Sequence, residues 1–146
     1  ITSVALLAWV SGESRAGCDG NYMNRQQMIG LFAGNTVCSP ANCVSGNNCM
    51  WQEQHRGGPG SSSGELWDYK RGSNPVDPTA KVGSWNITTG SSTGGPSRIV
   101  HNYGPSAVYS WRIKQEIAGI PGSYIFCDGP SGPYTFTMKA GIGSCP

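Results

Sequence analysis

The chain is short, weakly charged and rich in residues that form turns. It has 146 residues, of which 12% are charged, and its formal net charge is +2. This length fits one domain, and the near balance of charge argues against a nucleic-acid partner, which usually requires a basic patch. Its 22 glycines and 10 prolines predict many turns and few long helices. No apolar run approaches the roughly 18 residues that a membrane-spanning helix needs, so we expect no membrane span.

The first part of the chain, residues 1–16, is predicted to be an apolar segment distinct from a β domain at residues 17–146. It opens with the uncharged run ITSVALLAWV, which the polar residues 11–15 follow. Its apolar side chains have three possible environments: a first strand or helix in the chain's own core, a strand inserted into a neighbouring copy, or a remnant of a secretory signal with a cleavage site near Ala16. The side chains expected at a subunit interface are Val4, Leu6, Leu7, Trp9 and Val10.

One short helix is predicted next, over the segment Asn24 to Gly34. Apolar side chains recur there at helical spacing, at Met28, Leu31 and Phe32. Asn24 is a suitable N-cap, and Gly34 is a suitable stop.

The rest of the chain alternates with a period of two, and turns interrupt it. This pattern, without crossover helices, predicts an antiparallel β-barrel or sandwich of about seven to eight strands, mainly β apart from the one helix near the N-terminus. We expect about one Trp or Tyr per strand to fill its interior. The predicted strands are Asn35–Cys38, Met50–His55, Glu65–Arg71, Val82–Thr88, Ser97–Tyr103, Val108–Ile113, Ser123–Cys127 and Tyr134–Lys139.

Six cysteines indicate an oxidising compartment. They are Cys18, Cys38, Cys43, Cys49, Cys127 and Cys145. An even number in a small chain without metal-ligand spacing favours three disulfides, hence a protein that is secreted, extracellular or at the cell surface. Six cysteines allow 15 pairings. We expect Cys43–Cys49 and Cys127–Cys145 to close local loops and Cys18–Cys38 to tie down the N-terminal segment.

The order of several short motifs resembles small secreted bacterial proteins of unknown function. The resemblance spans about residues 28–146 and implies export and a β-rich body, with no implication for chemistry. Its motifs are NTVC (Asn35–Cys38), WQEQH (Trp51–His55), LWDYK (Leu66–Lys70), DPT (Asp77–Thr79), VGSWNI (Val82–Ile87), YSWRI (Tyr109–Ile113) and YIFC (Tyr124–Cys127).

Candidate chemical residues are few. Glu53 and His55 share a strand face, and with His101 they could perform acid–base chemistry, with Arg56 binding phosphate, or bind a metal. We interpret them instead as an exposed polar strand edge, and predict no catalytic residue, metal or cofactor. Aromatic side chains on the strands could line a pocket for a sugar or an apolar ligand, although core packing is the expected role: Trp67, Tyr69, Trp85, Tyr109 and Trp111.

Three functions remain open. The first is a structural subunit of an extracellular filament or surface assembly, in which the apolar segment binds a neighbouring copy. The second is a secreted lipocalin-like or carbohydrate-binding module, whose partner is a carbohydrate or a small apolar ligand. The third is a small secreted hydrolase or nuclease.

Overall fold

Eight antiparallel strands form one closed barrel in the computed structural model of the chain. The structure describes residues 18–43, 48–69, 79–90, 97–117 and 120–145. Each strand pairs with its neighbours in chain order, and β1 pairs with β8 to close the sheet, as Val37 opposite Met138 illustrates. The predicted mainly β fold is therefore confirmed as a barrel rather than a sandwich.

The elements follow the predicted order. The helix is α1 (Arg25–Phe32), and the strands are β1 (Asn35–Ser39), β2 (Trp51–Arg56), β3 (Ser63–Tyr69), β4 (Thr79–Ile87), β5 (Ile99–Asn102), β6 (Val108–Ile117), β7 (Ile120–Cys127) and β8 (Tyr134–Lys139).

Helix α1 closes one end of the barrel. The predicted N-cap is confirmed: the Asn24 side chain accepts a hydrogen bond from the Gln27 backbone N at 2.9 Å, and the Gln27 side chain accepts one from the Asn24 backbone N at 2.8 Å. Met28 and Phe32 are fully buried on the face toward the strands. The Phe32 ring lies 4.9 Å from the His55 ring, centroid to centroid, so the helix covers the end of the barrel where β2 finishes.

The last residues of the chain cover the outside of β1 and β2. The hydroxyl of Thr36 donates to the carbonyl of Gly141 at 2.8 Å, and the backbone N of Cys145 donates to the Gln52 side chain at 2.9 Å. Both faces of these two strands are therefore buried, although their sequences alternate like strands with one exposed face.

Gly64 is required by a close approach between neighbouring strands. The Trp85 indole Nε1 donates to the carbonyl oxygen of Arg56 at 3.1 Å, and a Cβ on Gly64 would lie 1.7 Å from that oxygen. Trp85 itself is 1% exposed and packs edge-on against His55, so this glycine lets the indole fill the closed end of the barrel.

Strand β3 presents the opposite face from the one that we expected to be aromatic. Leu66 is fully buried and Asp68 lines the interior, whereas Trp67 lies on the outside, where its indole donates to Glu65 and Arg56 stacks over its ring. Both faces of β3 carry one large apolar side chain, so the alternating pattern of the sequence did not show which face points into the barrel. The Tyr69 side chain is outside the described residues.

Three disulfides form, and one of the three predicted pairs is confirmed. Cys43 pairs with Cys49, but the expected pairs Cys127–Cys145 and Cys18–Cys38 are wrong: Cys18 pairs with Cys127, and Cys38 with Cys145. Closure of the barrel explains the difference. Because β8 lies beside β1, the segment after β8 brings Cys145 close to Cys38 on β1. Cys127, on β7, is one strand further away and pairs with Cys18 instead. Both long disulfides thus fasten the ends of the chain to the barrel wall.

The predicted segment at residues 1–16, with its five candidate interface side chains, lies outside the described residues. Within the described ranges, no helix is long and apolar enough to span a membrane.

We predict that the two kinds of disulfide differ in their effect on stability. Cys38 and Cys145 are 107 residues apart in sequence, whereas Cys43 and Cys49 are 6 apart. With Cys18–Cys127 still closed, the chain-entropy model gives a loss of about 4 kcal/mol for the longer loop and about 2 kcal/mol for the shorter. Urea unfolding of the Cys38→Ala/Cys145→Ala and Cys43→Ala/Cys49→Ala variants measures both losses. Equal losses would contradict the assignment of Cys38–Cys145 as the pair that fastens β1 to the C-terminal segment.

Candidate ligand-binding site

Five polar side chains face the inside of the barrel, where apolar residues would be expected, and four of them contact one another: Glu53, His55, His101 and Tyr103. Alternation on β2 points Glu53 and His55 inward, and cross-strand pairing places Asp68 opposite Glu53. On the far wall, β5 contributes His101, and Tyr103 follows this strand. His55, His101 and Glu53 are 0%, 4% and 8% exposed, so the interpretation of Glu53 and His55 as an exposed strand edge is wrong.

The four side chains form a continuous chain of contacts. His55 Nε2 and His101 Nε2 are 3.0 Å apart, and His101 Nδ1 is 3.5 Å from Glu53 Oε1. The Tyr103 hydroxyl donates to Glu53 Oε2 at 2.5 Å. At the other end, His55 Nδ1 lies 3.3 Å from the Glu53 carbonyl oxygen.

The chemistry of that carbonyl fixes where the protons lie. A carbonyl oxygen only accepts, so His55 Nδ1 carries a proton and donates it. The Nε2 of a neutral His55 is then an acceptor, and His101 Nε2 donates to it. His101 Nδ1 is left as an acceptor that faces both the Tyr103 hydroxyl, at 3.4 Å, and Glu53 Oε1, at 3.5 Å. With Tyr103 donating to Glu53 Oε2, a proton on Glu53 Oε1 gives a network in which all four groups are neutral.

Burial shifts the pKa values in the direction that this network requires. Desolvation raises the pKa of Glu53 to about 7, the Asp68 carboxylate adds to the rise, and the hydrogen bond from Tyr103 opposes it. Desolvation lowers the pKa of His101 to about 3 and holds that of His55 well below its ordinary value. The pKa of the Tyr103 hydroxyl is raised by the same cause.

An open cavity lies on the side of this cluster away from α1. Its volume is about 430 Å³, and Glu53, His101 and Tyr103 form part of its wall. The other lining residues are mainly aromatic and come from strands around the whole barrel: Val37, Trp51, Asp68, Ala107, Tyr109, Trp111, Phe126, Ser131 and Tyr134. Aromatic rings also pack on one another there, with Trp51 and Trp111 each edge-on to Tyr134.

The cluster also has donor atoms suited to a metal. One donor atom each from Glu53, His55 and His101 lies within 4.8 Å of the others. Two nitrogen ligands of a tetrahedral zinc ion are about 3.3 Å apart, close to the 3.0 Å between the histidine Nε2 atoms. Glu53 could supply Oε1 to the same ion while its Oε2 keeps the hydrogen bond from Tyr103. The residues satisfy one another through hydrogen bonds as they stand, so the geometry favours a proton network over a metal centre.

The structure brings some predicted site residues together and separates others. Glu53, His55 and His101 meet, but Arg56 lies outside the barrel, where its Nε donates to the Gln54 side chain at 3.0 Å. Among the candidate aromatics, Tyr109 and Trp111 line the cavity.

Sequence reasoning missed Asp68, Tyr103, Trp51, Phe126 and Tyr134. Three of them are placed by candidate residues: Trp51 shares a strand face with Glu53, Tyr103 follows His101 with the same spacing, and Asp68 lies opposite Glu53. Only closure of the barrel shows that these faces enclose one space.

Comparison of the chain with protein families, with curated proteins and with solved structures finds no match. The function must therefore be argued from the site itself.

We predict that Glu53 and the two buried histidines change the free energy of unfolding in opposite directions as the pH rises. The native state holds a proton on Glu53 up to pH about 7, whereas the unfolded chain loses it near 4.5. Its stabilising contribution is therefore lost as the pH rises through this window. Because the buried histidines have the opposite effect, Glu53→Gln should make the free energy of unfolding rise more steeply between pH 5.5 and 6.5, by about 1 kcal/mol per pH unit.

Urea unfolding at three pH values measures this slope, with Glu65→Gln as the control. Glu65 is an exposed glutamate whose pKa is lowered, first by the hydrogen bond from Trp67 and then by Lys81, so it stays ionised throughout the window. Parallel curves for Glu53→Gln and the unaltered protein would show that Glu53 is not protonated in the barrel.

Proposed function

We propose that the protein is a binding module that holds one small ligand, with an aromatic or apolar body, in the open end of the barrel. The observation that carries the proposal is the cavity of about 430 Å³, which joins aromatic walls to buried hydrogen-bonding groups. Ligand sites in proteins have this size and this mixture of apolar surface with a few convergent polar groups. An eight-stranded barrel has an interior of the width that holds one small ligand.

The energetic cost of the polar cluster supports the same function. Burying four polar side chains in a small barrel is less favourable than filling it with aliphatic residues of similar volume. Three of the four, Glu53, His101 and Tyr103, border the cavity rather than the closed end. A ligand that forms hydrogen bonds to Glu53, His101 and Tyr103 would use polar side chains that the barrel does not require for its stability.

The hydrolase or nuclease alternative has weaker support. Glu53 and His101 could exchange a proton, but Arg56, the expected phosphate ligand, lies on the outer face of the barrel.

Secretion is proposed together with binding. Three intramolecular disulfides, with no free cysteine among the described residues, are typical of proteins from oxidising compartments. The resemblance to small secreted bacterial proteins stays a prediction.

The neutral fluorophore N-phenyl-1-naphthylamine tests the pocket directly. We expect saturable binding of one molecule per chain, and a loss of affinity of about tenfold in Trp51→Leu, because this indole lines the cavity. Trp67→Leu is the matched control, since this indole lies outside the barrel and should leave the affinity unchanged. Absence of saturable binding, or equal losses in the two variants, would refute a binding site inside the barrel.

The filament hypothesis is a second candidate, and the apolar run at residues 1–10 supports it. Since β1 pairs with β8, the described strands leave no gap in the sheet for a donated strand, and such a segment would dock on another surface of the neighbouring copy. Leu7→Asp/Trp9→Asp should then abolish assembly in sedimentation velocity experiments. Ser11→Asp/Ser14→Asp, which adds the same charge nearby, should retain it. A monomeric unaltered protein, or assembly by the first variant, would contradict this hypothesis.

A further inference from the structure

Two carboxylic acids face the cavity. Of the twelve described residues that line it, Glu53 and Asp68 are carboxylic acids, and none is Lys or Arg.

The two acids are close to each other and face the same space. They are directly opposite in the pairing of β2 with β3, and both side chains point inward. The electrostatic influence of Asp68 on Glu53 disfavours a second negative charge. The described partners of the Glu53 carboxyl are a phenol and an imidazole that burial keeps neutral.

The remaining wall suits a cation with an apolar body. Six aromatic side chains line the cavity: Trp51, Tyr103, Tyr109, Trp111, Phe126 and Tyr134. The faces of such rings attract cations, and they also pack against flat apolar groups. A hydrated metal ion would make little use of these walls, whereas an organic ammonium ion uses both the acids and the rings.

We propose that the ligand is a primary amine with an aromatic or apolar body, whose ammonium group binds beside Glu53 and Asp68 while the aromatic wall holds its body. This inference rests on the proposed binding function and names the chemical class of its ligand. An ammonium group donates hydrogen bonds that carboxylates accept, which a quaternary ammonium group cannot do.

Protonation of Glu53 couples this binding to pH. Among the described residues, the titratable groups that face its carboxyl are Asp68 from β3, His101 from β5 and Tyr103 beyond β5, while His55 lies next on the same face of its own strand. In the empty barrel Glu53 holds a proton up to pH about 7, and an ammonium ion would replace it. Amine affinity should therefore be higher at pH 8 than at pH 6.

Calorimetry with three related compounds tests the inference: tryptamine, neutral 3-methylindole and anionic indole-3-acetate. We expect tryptamine to bind at least tenfold more tightly than either of the others at pH 8. Asp68→Asn and Glu53→Gln should each remove most of this preference and leave 3-methylindole binding unchanged. Glu65→Gln, on the outer face of β3, is the matched control and should keep the preference.

The possible outcomes separate this inference from the function on which it rests. If neither tryptamine nor 3-methylindole binds, and the naphthylamine probe does not bind either, the binding function itself fails. If 3-methylindole or indole-3-acetate binds as tightly as tryptamine, the pocket stands and the amine inference is overturned. It is also overturned if trimethylated tryptamine binds more tightly than tryptamine, or if zinc alone binds in a manner that requires His55 and His101 while tryptamine does not bind.

Discussion

Pairing of β1 with β8 is the constraint on which the rest of the structure depends. Once these strands pair, the inward side chains of all eight strands share one enclosed space. The disulfide between Cys38 and Cys145 fastens this seam from outside, and the C-terminal segment lies over β1 and β2. Helix α1 then covers one end, so the interior opens only at the other end in the described part of the chain. A cavity results there because the aromatic side chains line the wall without filling the space.

Under the proposed function, the buried polar network gives the cavity its specificity. With Glu53 protonated, hydrogen-bond donation runs from its carboxyl at the cavity wall to His101 and then to His55, which packs against Trp85 at the closed end of the barrel. Because His55 donates to a fixed backbone carbonyl, the acceptor nitrogen of His101 must face the Glu53 carboxyl. When Glu53 is protonated, each of the four polar groups has a hydrogen-bond partner in this geometry. When Glu53 is ionised, its carboxylate faces the cavity and could bind a cation. Protonation of Glu53 therefore affects both the free energy of unfolding and the proposed binding of a cation.

The sequence predicted the elements of this fold better than their arrangement. The capping box of Asn24 and the alternation of the strands are local signals, and the structure confirms them. Two of the three predicted disulfides were wrong because the long pairs depend on closure between β1 and β8, which leaves no trace in the local sequence. The buried role of Glu53 and His55 was missed for a similar reason: alternation shows that two side chains share a face, but not which face is inside. Both depend on contacts between residues far apart in the chain.

A crystal structure of the protein with tryptamine at pH 8 tests the central claim most directly. The account predicts an indole ring between the aromatic side chains of the open end, including Trp51 and Trp111, with the amine nitrogen within about 3 Å of a carboxylate oxygen of Glu53 or Asp68. Tryptamine bound only on the outer surface of the barrel, or oriented with its amine away from both carboxylates, would contradict it.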